Sequence, residues 1–382
     1  MAQGRVASAG PGGSGKPLLS LMLLSDVGLD RPCEWATPAI ASSRRAAAKQ
    51  ALVDILIEAR RRSVDVIACA GDLFDRHTVK PATMQWLVTA FRSAGVPVLI
   101  APGNEDFLGP LGGYARHRWP PNVHIFTSER LTPLECAGDV TIWGAANRQA
   151  HSASSLLDGV RVDRGGVNIA MFHGAEAGGY QREPGLEPCA PFSEPEIEAA
   201  GFDHALLGHY HERHLGRLHV YPGAPIVHGF GSRSPRGAVV VTVLADGSLD
   251  REEVLVSSPD LYDVEVDATG SRSKAEVLRR VRDAVGDRTG GGRLRVTGRL
   301  SPDVVVKRED LVKGGGSGDG SVVVWDAGVG GELETLAREP TIRGQFVREV
   351  LDSPVLSEER RQRVLLIGLR ALAGHEELDN PR

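Results

Sequence analysis

Apolar positions along this chain follow two periods. Continuous runs bounded by turn residues, LLSLMLL (18–24), VDVIACA (64–70), VPVLIAP (96–102), VNIAMF (167–172) and HALLG (204–208), predict five buried strands in the first 230 residues. Between the first three lie helical patterns, Ala46 to Arg62 and Ala82 to Ala94. Strand, helix, strand, helix, strand predicts an α/β arrangement with parallel strands, whose carboxyl ends gather on one side of the sheet, where such proteins bind ligands. Further on, Ala238 to Leu244 reads as a strand, LYDVEVDATG (261–270) and GRLRVTGRL (292–300) alternate as strands do, and Ser273 to Val285 reads as an amphipathic helix. Two more helical patterns, Ile342 to Leu351 and Ser357 to Leu372, flank DSPVL, with Ser357 as N-cap and Val364, Leu365, Ile367, Leu369 and Leu372 as an apolar stripe.

Each of the five early strands ends on a side chain that can hold a metal: Asp26, Asp72, Asn104, His173, and the pair His209 and His211. Singly, Gly-Asp after a strand is a turn or N-cap more often than a ligand, and a lone buried histidine is usually a core residue. Five in succession favour a site. His209 and His211 also alternate, so they face one side. The mixed oxygen and nitrogen donors suit a borderline-hard divalent ion such as Mn²⁺.

Composition narrows the class. At 382 residues the chain predicts two or three units, and 41% hydrophobic with 24% charged residues is ordinary for a globular protein. No apolar run approaches the roughly 20 residues that span a bilayer. The first 17 residues are small, Gly-rich and without an apolar signal core, which predicts a disordered tail and a cytoplasmic protein. Cys33, Cys69, Cys136 and Cys189 stand far apart, without a C-x-x-C pair. A net charge of −5, and 21 basic against 24 acidic side chains over 251–382, give no global case for nucleic acid. Arg293, Arg295 and Arg299 form a local basic run, read either as phosphate contacts or as a solvated edge strand. Gly10 to Lys16 has P-loop spacing, but Pro17 replaces the metal-binding hydroxyl.

The stretches SDVGLD, GDLFD, GNED, FHG and GHYH, in that order, resemble the calcineurin-like metallophosphoesterases, and GDLFDRHTVKP with YPGAPI (221–226) is similar to the SbcD and YhaO branch of bacterial nuclease subunits. The resemblance implies a four-layer αββα sandwich, two mixed sheets flanked by helices, with a smaller C-terminal α+β capping region and terminal helices. It implies domains at 18–250, 251–335 and 336–382 after the tail. It also implies a two-metal Mn²⁺ site, DNA as substrate, an SMC-like, SbcC-type ATPase as a partner, and a homodimer; the terminal helical pair is read either as a docking element for that partner or, the favoured reading, as packing on its own domain. Asp72 would bridge the ions, Asn104, His173 and His209 would complete one, and Asp26 and His211 would serve the other.

Two positions depart from the pattern. The family has Asp-x-His where this chain has Asp26-Val27-Gly28, so the second ion loses a ligand; Asp30 and His77 are the nearby substitutes in sequence. The family has a histidine where Glu105 stands in GNED. A glutamate there repels phosphate and lacks the proton a leaving oxygen needs, and a missing general acid typically lowers a rate by about 10²–10⁴. Three functions follow: an SbcD-like phosphodiesterase impaired at Gly28 and Glu105, a non-catalytic DNA-end binding scaffold, or a small-molecule phosphodiesterase.

Overall fold

The computed structural model describes residues 16–33, 35–110, 112–177, 187–230, 235–257, 261–288, 291–300, 304–314, 321–325, 328–329 and 333–374. Nearly all of the N-terminal tail and most of the Gly-rich stretch 313–321 lie outside them. Chain contacts divide the molecule into a first unit, Met1–Pro32, Ser43–His228 and Ser232–Ser258, and a second, Cys33–Ser42, Gly229–Gly231 and Pro259–Arg382. Among the described residues, no helix is long and apolar enough to cross a membrane.

The chain opens with β1 (Pro17–Leu24), α1 (Pro38–Arg61), β2 (Val66–Cys69), α2 (Pro81–Arg92), β3 (Val98–Ile100), α3 (Gly113–Arg116) and β4 (Val123–Ile125). There follow β5 (Thr132–Glu135), β6 (Val140–Gly144), β7 (Val167–His173), α4 (Glu194–Ala199), β8 (His204–Gly208), β9 (His214–Leu215), β10 (His219–Tyr221), β11 (Gly237–Leu244) and β12 (Leu249–Leu255). One sheet runs β12-β11-β1-β2-β3-β4, with β1 to β4 parallel and β11 and β12 antiparallel. The other runs β5-β6-β7-β8-β10-β9, parallel from β6 through β10 and antiparallel at both edges. Both sheets are therefore mixed. Because β12 pairs with β11, the first unit extends past residue 250.

Strand alternation builds the layers. Met22 and Leu24 of β1 face a core shared with Leu52 and Ile55 of α1 and Leu87 and Phe91 of α2. Leu19, Leu21 and Leu23 face the opposite way, onto Ile142, Ile169, Met171, Leu206 and Val220 of the second sheet. The outer face of that sheet, Ala170, Phe172, Ala205 and Leu207, is covered by Ile197 of α4 and by Phe192 and Phe202. This is the two-sheet sandwich flanked by helices, with a thin fourth layer. Helix α1 starts eight residues before the apolar period does, because Thr37 caps it, its Oγ1 accepting from Ile40 N at 3.5 Å, ahead of a helix-starting proline.

The second unit holds β13 (Leu261–Asp267), α5 (Lys274–Val285), β14 (Gly291–Thr297), β15 (Arg299–Leu300), α6 (Arg308–Gly314), β16 (Ser321–Trp325), β17 (Gly328–Val329), α7 (Leu333–Arg338), α8 (Ile342–Leu351) and α9 (Glu358–Leu372). Its three-stranded sheet, β13-β14-β16, is wholly parallel. Strand β14 is the central strand, so the edge-strand reading of Arg293 does not hold; Arg293 pairs with Asp263 on β13, directly opposite in register. Leu365, Leu366 and Leu369 of α9 are buried with Val347 and Val350 of α8, while Val364 and Leu372 are exposed. The stripe read from sequence is therefore offset, and the two helices pack on each other.

Candidate metal centre

The candidate ligands sit where strands of both sheets end, and their backbones are unusual. Asp26 follows β1 at φ 55°, Asp72 follows β2 at φ 53°, and His209 follows β8 at φ 116°. These are three of the seven described non-glycine residues with positive φ, a conformation disfavoured by about 1–2 kcal/mol for a residue with a Cβ. Such strain, held by surrounding structure, marks places where the chain must aim a side chain. Asp26, Asp72, His173 and His209 are all buried, and Asn104 is half-buried.

Their lone pairs converge. Asp26, Asp72 and His173 each offer a ligand atom within 4.8 Å of the others. His173 Nδ1–H donates to the Ala70 carbonyl at 2.8 Å, which leaves the Nε2 lone pair facing Asn104 Oδ1 at 3.0 Å and Asp72 Oδ2 at 3.4 Å. His209 Nδ1 lies 3.2 Å from the same Asn104 oxygen. Asp26 Oδ2 accepts from His209 N at 3.2 Å, but its buried Oδ1 has no hydrogen-bond partner. Acceptors turned on acceptors in a buried space are unstable unless a cation or protons lie among them. Burial pushes Asp72 up to about 7 against the opposing pull of His173. His173 is itself raised, the neighbouring carboxylates outweighing its burial. The residues present thus fit a divalent cation.

A residue not foreseen from the sequence organises this half. Asp106, 1% exposed, accepts from Gly103 N at 2.6 Å and Asp72 N at 3.2 Å through Oδ1, and from Leu73 N at 2.8 Å and the Tyr114 hydroxyl at 2.6 Å through Oδ2. One carboxylate therefore ties the loop after β2 to the loop after β3. The available signal was an acid three residues after Gly103, the spacing of a side chain that closes a turn on its own backbone. Asn147 braces the next strand, its Nδ2 donating to the His173 carbonyl at 3.1 Å.

The other half is different. A Cβ built on Gly28, itself at φ +59°, would lie 2.7 Å from His228 Cε1 and 3.5 Å from Arg31 Cδ. His228 thus occupies the space into which a side chain at 28 would grow, and its Nε2 donates to the Asp26 carbonyl at 2.7 Å. His211 stands beside it, ring centroids 5.0 Å apart, with Nε2 3.4 Å from Arg31 Nη1. Among the described residues, His211 is outside the cluster that unites Asp26, Asp72 and His173. Neither sequence neighbour fills the gap: Asp30 Oδ2 accepts from Lys80 N at 3.0 Å, ahead of α2, and His77 is exposed on a turn.

Glu105 joins the architecture by its main chain. Its N–H donates to Asp72 Oδ1 at 2.9 Å and its carbonyl accepts from Arg76 N at 3.1 Å. Its half-buried side chain accepts from Asn104 Nδ2 at 3.4 Å.

The calcineurin-like phosphoesterase family model matches residues 19–213. The DNA double-strand break repair protein Mre11 of Methanopyrus kandleri is 28% identical over 274 residues, which are 63% of this chain and 58% of that protein, so the chain spans little more than half of that relative. Among solved structures, TT1561 of Thermus thermophilus is 14% identical at a TM-score of 0.37, covering 62% of this chain and 99% of the other. A dimetal phosphatase from Danio rerio is 12% identical at 0.37, covering 63% and 100%.

Proposed function

We infer the function from the premise that this chain belongs to the calcineurin-like phosphoesterase family: it is a metal-dependent phosphodiesterase of the DNA-nuclease type, SbcD-like, impaired at Gly28 and Glu105. The observation that carries this reading is the buried convergence of acceptors from Asp26, Asp72, Asn104 and His173, with Asp26 Oδ1 unpartnered. We assign Asp72, Asn104, His173 and His209 to the better-built ion position, and Asp26 and His211, with Asp72 shared, to the weaker one, with Mn²⁺ as the ion. Such ions, when bound, supply charge that holds a phosphodiester and activates water. The chain's own part is positioning: Glu105 N fixes one oxygen of Asp72, leaving the other toward His173, and the Ala70 carbonyl fixes the His173 tautomer. At position 105 a carboxylate stands where the family's imidazole would meet the leaving oxygen.

DNA as substrate is supported by the Mre11 relative, a DNA double-strand break repair protein by name. An SMC-like ATPase is the partner this reading expects. A non-catalytic DNA-end scaffold is favoured by one observation, the filling of the Gly28 space by His228.

The test is cleavage of an end-labelled duplex by the purified chain with Mn²⁺ or EDTA, beside metal content and DNA binding, for the wild type and Asp72→Asn. Slow Mn²⁺-dependent cleavage that Asp72→Asn abolishes supports the phosphodiesterase. Binding of DNA ends without cleavage, equal in both proteins, replaces it with the scaffold.

A further inference from the structure

A second group of ligand-type side chains lies in the first unit, apart from the centre described above. Glu176 follows β7, His214 opens β9 and His219 opens β10; their ligand atoms lie within 4.8 Å of one another. His219 is 1% exposed. Its Nε2 is 3.3 Å from Glu176 Oε2 and its Nδ1 is 3.2 Å from Glu194 Oε2, the first residue of α4, yet neither ring nitrogen makes a hydrogen bond of acceptable geometry. A neutral imidazole has one N–H and one lone pair. With a carboxylate beside each nitrogen, one contact sets lone pair against lone pair.

A glycine stands against both rings. A Cβ on Gly216 would lie 3.0 Å from His214 Nε2 and 3.1 Å from His219 Cε1, so any larger residue at this hairpin position would press on both rings. Glu176 is also set from behind: the Tyr210 hydroxyl donates to its carbonyl at 3.0 Å, and its N–H donates to the Tyr221 hydroxyl at 3.2 Å. The 3.3 Å separation of Glu176 Oε2 and His219 Nε2 matches the edge of a tetrahedron whose bonds are about 2.0–2.1 Å long.

We propose that Glu176, His214 and His219, through its Nε2, form a separate Zn²⁺-type site, with Glu194 beside the far ring nitrogen of His219 as the outer carboxylate that fixes its tautomer. Two imidazoles and a carboxylate oxygen are a donor set that zinc accepts, and three protein ligands leave the fourth tetrahedral position to water. The ion would clamp the β9–β10 hairpin to the segment after β7. His214 comes three residues after His211, and Glu176 three after His173, so the same segments carry ligands for both centres.

The test uses the full-length Asp72→Asn chain, stripped with chelator and titrated with Zn²⁺ by calorimetry and with Co²⁺ by visible absorption. One equivalent of either ion is expected, with the strong visible bands of tetrahedral Co²⁺. His214→Gln and Glu176→Gln should each weaken it by more than about 100-fold, beyond the roughly 10–100-fold that loss of an outer hydrogen-bond partner produces. They should also abolish the rise in Tm on adding Zn²⁺. Circular dichroism of the stripped variants checks their folding, and the part-exposed Glu176→Gln serves if His214→Gln does not fold. No binding by Asp72→Asn, or a tetrahedral Co²⁺ spectrum retained in a folded ligand variant, overturns the site. Either result leaves the phosphodiesterase reading untouched.

Discussion

The two halves of the candidate metal centre are built to different standards. In one, Asp72, Asn104 and His173 are each held from behind by a main-chain group or a neighbouring side chain, and Asp106 fastens the loops that carry the first two. In the other, the place for a side chain at 28 is filled by His228, and His211 stands against Arg31. An ion position is a shape as well as a set of ligands. The first half holds its shape around its candidate ligands, whereas in the second a glycine stands at 28 and His228 fills the space beside it.

The contrast breaks most directly at the clamp. Asp106→Ala should destabilise the chain by about 3–5 kcal/mol, because four donors lose one buried acceptor; chemical denaturation measures it. A loss under about 1 kcal/mol would mean the loops are held by something else. Next comes pH. Asp72 is raised from 3.8 to about 7, so its protonated form contributes stability that is complete below pH 3.8 and lost as pH rises through about 7. The metal-free wild type should therefore lose a few kcal/mol relative to Asp72→Asn over that window, and Mn²⁺ should reverse the trend, since ligation competes with protons. Parallel pH profiles for the two stripped proteins would refute the burial argument.

A third change probes the closed half. Gly28→His should cost about 1–3 kcal/mol, from the collision with His228 and the left-handed backbone, and His228→Ala should recover part of it. On the impaired-site reading, Mn²⁺-dependent cleavage should rise most when Gly28→His, Glu105→His and His228→Ala are combined, and a Gly28→His protein of unchanged Tm would show that the space is open. The smallest effect is at the loop: Glu105→Gln should alter stability by no more than about 0.5 kcal/mol, read from the same unfolding curves.

Much of the better half was legible in the sequence. Short apolar runs ending in Asp, Asn or His located β1, β2, β3, β7 and β8, and every residue of the converging cluster stands at such an end. What was missed depends on distance. His228 lies two hundred positions from Gly28, and no local pattern joins them. Asp106 is visible only as one more acid in GNED until its four donors are seen. The strands β4, β5, β6, β9 and β10 are no shorter as a group than β2 and β3, but each carries polar residues within it, so no continuous apolar run marks them. In α9 the amphipathic period was correct, but burial is set by α8, which selects Leu365, Leu366 and Leu369 over Val364 and Leu372.

The main-chain role of residue 105 has an evolutionary consequence. Its N–H and carbonyl hold the loop whichever side chain is attached, and Asp106 supplies the carboxylate that closes it. Drift at 105 therefore meets no structural selection. A lineage can exchange the side chain at 105 and pass on the cradle of Asp72, Gly103 and Asp106 intact, without the fold being relearned.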